Sequence, residues 1–304
     1  MTMNDGRDGA GTTVGERPVL HPLRFRSMEL RNRVIRSSLA PAPDWERRFA
    51  QAGVGAIISA CIEVGPDGDR PPLGALREHL RSIQSYLCRY IIQIGHATSP
   101  HQVWTTAEIE HVIRSFADAA RWARESGADG VEIDGARGSL IAQFLGQSTG
   151  DRPGGYRGSL ERRCRLAREI VQAVRLSAGP DLHVQIQLGA TSPMGMMAAG
   201  TLHLVRWLAE DGIDAIHLAP DGDHPRARTG RSFAVAARFV KEVARVPVLR
   251  NGAFGTVDEI LTALDDGSCD AVTLTRPSPP VPAPLGPGPK PRAVEAAAAA
   301  GGWP

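Results

Sequence analysis

The sequence predicts an α/β protein folded as a (β/α)8 barrel with a weak or irregular eighth helix. Its 304 residues somewhat exceed the usual length of one such barrel, which is about 250 residues. A glycine, a short polar step and a β-branched strand recur along the chain, and eight strands can be counted. We therefore expect one barrel domain over residues 18–278, a disordered N-terminal tail over residues 1–17 and a Pro/Ala-rich C-terminal tail over residues 279–304.

The strands are predicted from short β-branched runs that follow glycines. Copies of this pattern begin at Gly53, Gly127, Gly212 and Gly267. The eight strands are expected near Val34, Ala56, Tyr90, Val131, His183, Ala215, Val246 and Ala271. Strands that alternate with helices are typical of a parallel α/β sheet. Eight such units within one domain favour a closed barrel over an open, doubly wound sheet.

The helices between the strands are predicted from their first residues. Thr105 with Glu108, and Thr256 with Glu259, have the spacing of capping boxes, in which each side chain satisfies a backbone N–H of the first turn. Ser159 is placed to cap another helix. No comparable signal follows the last strand, and this is why the eighth helix is expected to be weak.

Polar residues alternate with apolar ones within several strands. His183, Gln185 and Gln187 lie on the opposite face from their apolar neighbours, as do Glu132 and Asp134. Because successive side chains of a strand point to opposite faces, the apolar faces are expected to meet the helices and the polar faces to line the barrel. Barrel enzymes place their sites at the carboxyl ends of the strands, so we expect a polar site there.

The composition excludes several classes of protein. Hydrophobic residues make up 42% of the chain and charged residues 22%, which is ordinary for a globular protein. The net charge is only +2 and the arginines are scattered, so no nucleic-acid partner is predicted. No apolar run is long enough to cross a bilayer, so no membrane partner is predicted. The first residues lack the apolar core of a signal peptide, and a cytoplasmic location is expected.

Cysteine and histidine spacing indicates no metal site. The four cysteines, Cys61, Cys88, Cys164 and Cys269, are far apart, whereas zinc and iron–sulfur sites use closely spaced pairs. The nine histidines show no metal-binding spacing either. We predict isolated, reduced thiols and no bound metal.

An ordered series of motifs resembles the old yellow enzymes, which are FMN-dependent NADH:flavin oxidoreductases and ene-reductases. The matching segments are residues 20–35 (LHPLRFRSMELRNRVI), 104–109 (WTTAEI), 130–145 (GVEIDGARGSLIAQFL), 151–163 (DRPGGYRGSLERR), 247–252 (PVLRNG) and 274–277 (LTRP). Together they span roughly residues 18–278 without a change of order. Such a series is more specific than any single motif.

The resemblance implies a phosphate site for FMN after the last two strands. The residues at those positions are Asn251, Gly252, Ala253, Thr275 and Arg276. Backbone amides suit a phosphate dianion, and an arginine adds a charge-assisted pair of hydrogen bonds. The alternative is that Arg276 only pairs with Asp265 or Asp266 at the strand end.

The resemblance also implies contacts to the flavin ring. Gln93 matches a glutamine that bonds the pyrimidine ring, for which an amide can both donate and accept; otherwise it is a packing residue. Ser37 and Ser38 stand where the family carries its first-strand flavin contacts. Gln187 is neutral where the family usually has a cation, and this loss is expected to lower the reduction potential of the flavin.

The pair that binds substrate in the family is changed to Asp134 and Arg137. An ionised carboxylate cannot donate a hydrogen bond, so Asp134 is expected to accept a proton or to hold a hydroxyl or amine. Arg137 is expected to bind a carbonyl or carboxylate. Alternatively, the two residues form an ion pair that shapes the loop. Ser139 occupies the position of the tyrosine that donates a proton in relatives.

Three functions follow from these residues. The first is an FMN-dependent oxidoreductase in which NADH or NADPH drives reduction of an activated alkene or related small-molecule acceptor. The second is a flavin-independent isomerase or lyase in which Asp134 is the base and Arg137 stabilises an enolate. The third is a non-catalytic binding protein on the same fold. The sequence leaves assembly into a homo-oligomer open.

Overall fold

The computed structural model describes residues 18–38, 40–65, 70–99, 102–136, 138–146, 152–189, 199–220, 231–252, 254 and 256–275. Its strands, in chain order, are β1 (Leu23–Arg24), β2 (Glu29–Leu30), β3 (Val34–Ser37), β4 (Ala56–Ile58), β5 (Ile62–Glu63), β6 (Arg89–Gly95), β7 (Gly130–Gly135), β8 (His183–Gly189), β9 (Ala215–Ala219), β10 (Val248–Gly252) and β11 (Ala271–Leu274). Strands β3, β4 and β6 to β11 pair in parallel, and both the β11–β3 and the β4–β6 pairings are present. These pairings close an eight-stranded ring.

Helices surround this ring. They are α1 (Pro43–Ala52), α2 (Leu73–Gln84), α3 (Thr106–Ser126), α4 (Leu140–Leu145), α5 (Leu160–Ala178), α6 (Ala199–Glu210), α7 (Arg231–Ala244) and α8 (Val257–Asp265). Both capping boxes form, Thr105 with Glu108 and Thr256 with Glu259, and Ser159 caps α5. Gly127 ends α3 at a φ of 87°, a left-handed conformation that glycine adopts without steric cost.

The predicted (β/α)8 barrel is confirmed. Each of the eight expected strands is present, although the one expected near Val246 begins at Val248. The predicted eighth helix and both predicted tails lie outside the described residues, so the domain boundaries stay predictions.

Apolar side chains on the outer face of the strands form the main core with the helices. On β8, Val184, Ile186 and Leu188 belong to this core, and their polar neighbours face the interior as the alternation predicted. Fully burying one such side chain contributes about 1.5–3 kcal/mol, and this core therefore holds the helices on the barrel.

A second, smaller apolar cluster fills the amino end of the barrel. Its members from the β1–β2 hairpin and from the inner faces of the strands are Leu23, Phe25, Met28, Leu30, Ile35, Ala56, Ile58, Ile91, Ala215, Leu249 and Ala271. The hairpin thus closes the amino end with hydrocarbon.

Asp214 fastens this hairpin. Its fully buried carboxylate lies 2.8 Å from Nε of Arg26 and 2.6 Å from an Nη of Arg175. The Ser27 hydroxyl also donates to it, at 3.2 Å. Because Asp214 directly precedes β9, these contacts join the β1–β2 hairpin to the start of strand β9.

Candidate active site

The strand registers place the interior side chains in layers of four, and each layer is contributed by alternate strands. The charged layer, in the middle of the barrel, consists of Ile58, Glu132, His217 and Thr273. The amide layer, one step closer to the carboxyl ends, consists of Ser37, Gln93, Gln187 and Asn251. Asp134 and Thr275 lie above the amide layer, at the mouth.

The amide layer brings together four residues that the sequence indicated as cofactor ligands. All four are buried. Gln93 donates its Nε2 to Oε1 of Glu132 at 2.7 Å, and the Thr275 hydroxyl donates to Oδ1 of Asn251 at 3.2 Å. Nδ2 of Asn251 is buried without a hydrogen-bond partner among the described residues. The layer therefore offers neutral donors and acceptors to the mouth.

Glu132 is the centre of the charged layer. Its side chain is 0% exposed, and it accepts hydrogen bonds from the side-chain amides of Gln93 and Gln185. Nδ1 of His217 lies 2.7 Å from its Oε2. Burial opposes ionisation, but the charge of His217 and the three hydrogen bonds outweigh it and lower the pKa of Glu132. The carboxylate is therefore ionised at neutral pH.

His217 contacts polar groups of both the charged layer and the amide layer. Its Nδ1 is 3.2 Å from Nε2 of Gln187 as well as in contact with Glu132. Its Nε2 is buried and has no hydrogen-bond partner among the described residues. Neither Glu132 nor His217 was proposed as a site residue from the sequence, although both occupy inward positions of alternating strands.

A second histidine, His183, orients one of the hydrogen-bond donors to Glu132. His183 is fully buried, and burial lowers its pKa. Its Nε2 lies 2.8 Å from Oε1 of Gln185, whose amide in turn donates to Glu132. The neutral imidazole thus donates through Nε2–H, and the amide of Gln185 is held in one orientation.

At the mouth, the structure places Asp134 at the end of β7. Its Oδ1 accepts a hydrogen bond from the backbone N–H of Ala136 at 3.0 Å, so the carboxylate takes part in the turn that follows the strand. Arg137 lies outside the described residues. The predicted roles of this pair, and the alternative of a mutual ion pair, therefore stay predictions.

Cys61 borders Asp134 across β6. A Cβ added to Gly95 would lie 2.6 Å from Sγ of Cys61 and 3.1 Å from Cβ of Asp134, so the glycine permits this close approach. Cys61 is an exposed residue, but desolvation of its thiol by the surrounding protein, followed by the negative charges of Asp134, Glu63 and Glu132, raises the pKa of the thiol to about 12. The thiol is therefore protonated at neutral pH.

The remaining predicted FMN ligands do not all lie beside the amide layer. Ser38 donates its hydroxyl to Oε1 of Glu46 at 2.9 Å, so its side chain turns toward α1 and not into the amide layer. Gly252 ends β10, where a Cβ would lie 2.6 Å from the ring of Phe254. Thr275 follows β11 next to it. Ala253 and Arg276 lie outside the described residues, and each ligand role stays a prediction.

The described residues fit the ring of a flavin. Amides can donate and accept at the same time, as the pyrimidine edge of a flavin requires, and Gln93 and Gln187 present two of them. The unpartnered Nδ2 of Asn251 is a buried donor that a ligand can satisfy,. No cluster of three or more metal-binding side chains occurs within the part of the chain that is described.

Comparison with protein families decides the relationship. Residues 78–279 match the model of the NADH:flavin oxidoreductase / NADH oxidase family. The chain belongs to this family. It is thus an FMN-dependent oxidoreductase of the old yellow enzyme type that uses NADH or NADPH, as the resemblance implied. This membership favours the redox function over the isomerase or lyase and over the non-catalytic protein.

Individual relatives agree with this membership. A probable NADH-dependent flavin oxidoreductase of Bacillus subtilis is 26% identical over 257 residues, which covers 70% of this chain and 69% of the relative. An NADPH dehydrogenase of a Geobacillus species is 27% identical over 305 aligned positions, which covers 88% of this chain and 87% of the relative.

Solved structures show the same fold. Morphinone reductase in complex with tetrahydroNAD superposes with a TM-score of 0.72 at 22% identity, covering 85% of this chain and 86% of that one. The old yellow enzyme homologue from Zymomonas mobilis superposes with a TM-score of 0.72 at 20% identity, covering 85% and 88%. In the residues described, no helix has the length and apolar character needed to cross a membrane.

Proposed function

We propose that this family member transfers a hydride from NADH or NADPH to an activated alkene or a related small-molecule acceptor at the carboxyl end of the barrel. The observation that supports the proposal best is the amide layer, in which four neutral hydrogen-bonding residues face the mouth above an ionised, buried carboxylate. When bound there, FMN supplies the chemistry by accepting the hydride and delivering it to the acceptor.

The chain's own residues hold the cofactor from two sides. Gln93 and Gln187 offer amide groups to the ring, and Ser37 adds a hydroxyl from β3. The phosphate is assigned to the loops after β10 and β11, where the predicted ligands are Asn251, Gly252, Ala253, Thr275 and Arg276. Backbone amides and an arginine at these loops provide the positive potential that a phosphate needs.

Asp134 and Arg137 narrow the class of acceptor. Because the carboxylate of Asp134 accepts hydrogen bonds and cannot donate them, it favours a substrate that carries a hydroxyl or an amine beside the reacting bond. The task of polarising a carbonyl or holding a carboxylate then falls to Arg137. We propose that the pair selects acceptors that bear both an electron-withdrawing oxygen and a hydrogen-bond donor.

Absorbance of the purified protein tests the central claim. We expect a yellow protein whose flavin band is bleached by NADH or NADPH and restored by an acceptor of the proposed class. A colourless protein that fails to take up added FMN would overturn the proposal. Turnover without flavin that disappears in Asp134→Asn would instead support the isomerase or lyase.

Substrate selection is tested with paired acceptors. Two α,β-unsaturated acids, one with and one without a neighbouring hydroxyl, are compared in the wild-type protein and in Asp134→Asn. We expect the wild type to prefer the hydroxylated acid in kcat/KM and the variant to lose this preference. An equal preference in both proteins would contradict the role of Asp134.

The location and the assembly of the chain stay predictions from the sequence. We propose a cytoplasmic location, which fractionation of expressing cells tests. Homo-oligomer formation is read directly from the mass in solution by light scattering.

A further inference from the structure

We propose that Glu132 is a positioning residue for the cofactor, because its carboxylate turns the side-chain amide of Gln93 so that the acceptor oxygen Oε1 is available to N3–H of the flavin. The inference rests on the proposed function, since it needs the pyrimidine ring of FMN to lie against Gln93. It goes further by giving a role in cofactor recognition to a residue of the charged layer, beneath the amide layer.

The two carboxylate oxygens of Glu132 are divided among three donors. Oε1 accepts a hydrogen bond from Nε2 of Gln93 at 2.7 Å. Oε2 accepts from the side-chain amide of Gln185 and lies 2.7 Å from Nδ1 of His217. An imidazole nitrogen that contacts a carboxylate oxygen donates to it, in the neutral ring as well as in the imidazolium. Both oxygens therefore meet N–H donors, whatever the charge of His217.

This arrangement fixes the orientation of the Gln93 amide. The two ends of a glutamine amide are nearly equal in shape, so the hydrogen-bond partners decide which end points where. An ionised carboxylate only accepts, and a turned amide would place Oε1 of Gln93 against Oε1 of Glu132 with no hydrogen between them. Both side chains are buried, so bulk water does not replace the lost hydrogen bond.

The orientation determines what Gln93 offers to a ligand. Among the described residues, the hydrogen bond to Glu132 is the only one that the Gln93 side chain makes. Oε1 and the second hydrogen of Nε2 are therefore the groups that a ligand can use. The pyrimidine edge of a flavin has one donor, N3–H, between two carbonyl acceptors. Donors meet acceptors on both sides only in the orientation that Glu132 imposes.

Glu132→Gln is expected to reverse this orientation. Oε2 of the carboxylate has two donors and Oε1 has one, so the oxygen of the introduced amide takes the position of Oε2 and its NH2 group the position of Oε1. Gln93 then turns its own oxygen toward this NH2 group and presents Nε2 to N3–H, which is also a donor. Every neighbour keeps a hydrogen-bond partner, so this variant should fold while its recognition of FMN is impaired.

Titration of the apoprotein with FMN and with 3-methyl-FMN, followed by flavin fluorescence, tests the proposal. In 3-methyl-FMN a methyl group replaces the hydrogen on N3. We expect the wild type to bind FMN about tenfold more tightly than the analogue, because the analogue loses one hydrogen bond. Glu132→Gln should bind FMN about tenfold more weakly than the wild type and lose the preference. An unchanged preference in this variant would overturn the inference.

The matched control is Glu46→Gln. Glu46 is a second buried carboxylate with three partners, the hydroxyls of Ser38 and Tyr90 and Nε2 of His79. It lies outside the barrel interior, so this variant removes a similar buried charge away from Gln93. It should keep the wild-type preference for FMN. A loss as large as that in Glu132→Gln would show a general effect of removing a buried carboxylate and would also overturn the inference.

A double variant separates orientation from charge. Gln93→Leu should itself lose the preference for FMN, since it removes the acceptor oxygen. If Glu132 acts through Gln93, adding Glu132→Gln to Gln93→Leu should leave the dissociation constant of FMN nearly unchanged. If the negative charge acts on the ring directly, Glu132→Gln changes this constant by the same factor in both backgrounds, and the inference fails.

The wild-type protein alone provides a test that needs no variant to fold. Equal dissociation constants for FMN and 3-methyl-FMN would overturn the inference, because Oε1 of Gln93 would then not accept from N3–H. Failure of the wild-type protein to bind FMN at all is a different result, since it removes the proposed function itself.

Discussion

On three of its strands, the barrel interior carries opposite kinds of side chain at its two ends. On β3, β6 and β10 the inward residues near the amino end are Ile35, Ile91 and Leu249. Two positions further along, the same strands present Ser37, Gln93 and Asn251. On these strands, one step of the strand alternation separates the apolar cluster at the amino end from the polar site, and stability and ligand binding can be assigned to different layers.

The largest expected effect is on stability, and it comes from Glu132 in the charged layer between the two ends of the interior. Glu132→Leu leaves the donors Gln93, Gln185 and His217 buried without their acceptor. Removing one partner of a buried, charged network costs about 3–5 kcal/mol. We expect the free energy of unfolding, measured in urea, to fall by this amount. Glu132→Gln, which keeps an acceptor oxygen, should lose less; equal losses in both variants would show that the network contributes little.

Leu249→Ala and Asn251→Ala compare the two ends on a single strand. Leu249→Ala opens a cavity in the apolar cluster at the amino end and should cost about 2–5 kcal/mol of stability, while leaving the dissociation constant of FMN unchanged. Asn251→Ala should cost less stability, about 0.5–1.5 kcal/mol, because it removes only the hydrogen bond that Oδ1 accepts from the Thr275 hydroxyl,. It should weaken FMN binding about tenfold, or about 1.4 kcal/mol. Denaturation and fluorescence titration measure the two quantities, and the opposite outcome would invalidate the division between the ends.

Acid titration sharpens the comparison through two buried groups, an acid and a base, whose pKa values are both lowered. The folded-state pKa of Glu132 is lowered, so the stability it provides is present above its unfolded value and is lost as pH falls through the folded one,. His183 is a base with a lowered pKa, so the unfolded chain binds its proton first and stability decreases as pH falls below about 6.5. We expect His183→Gln to remove this upper step and to leave the lower one. Denaturation midpoints at several pH values check the result.

The smallest expected effect is on the alkylation rate of Cys61 at the mouth of the barrel. Because the pKa of the Cys61 thiol is raised to about 12, alkylation by iodoacetamide near neutral pH should be much slower than for a free cysteine. Asp134→Asn removes one of the negative charges and should accelerate the reaction modestly, since desolvation of the thiol is the larger cause of the raised pKa. Mass spectrometry of the Cys61 peptide gives the rate. A rate that stays equal in both proteins would show that Asp134 does not act on this thiol.

Much of this arrangement could be predicted from the sequence. The alternation in β7 and β8 assigned Glu132, Asp134 and Gln187 to the interior, and the capping residues fixed the starts of α3 and α8. The neutral Gln187 predicts the loss of a charge near the flavin. The sequence could not show that His217 lies next to it, because contacts between β7, β8 and β9 depend on the stagger of the closed ring. Similarly, Ser38 adjoins Ser37, yet it turns to Glu46 on α1.

The contacts between Asp214 and the β1–β2 hairpin have a consequence for the order in which the protein folds. The hydrogen bond from Ser27 joins residues 187 positions apart in the chain. Contacts between such distant residues require most of the intervening polypeptide to be in place, and they slow folding. We therefore expect the β1–β2 hairpin to be fixed at the amino end of the barrel late in folding, after the segment that carries Asp214 has folded.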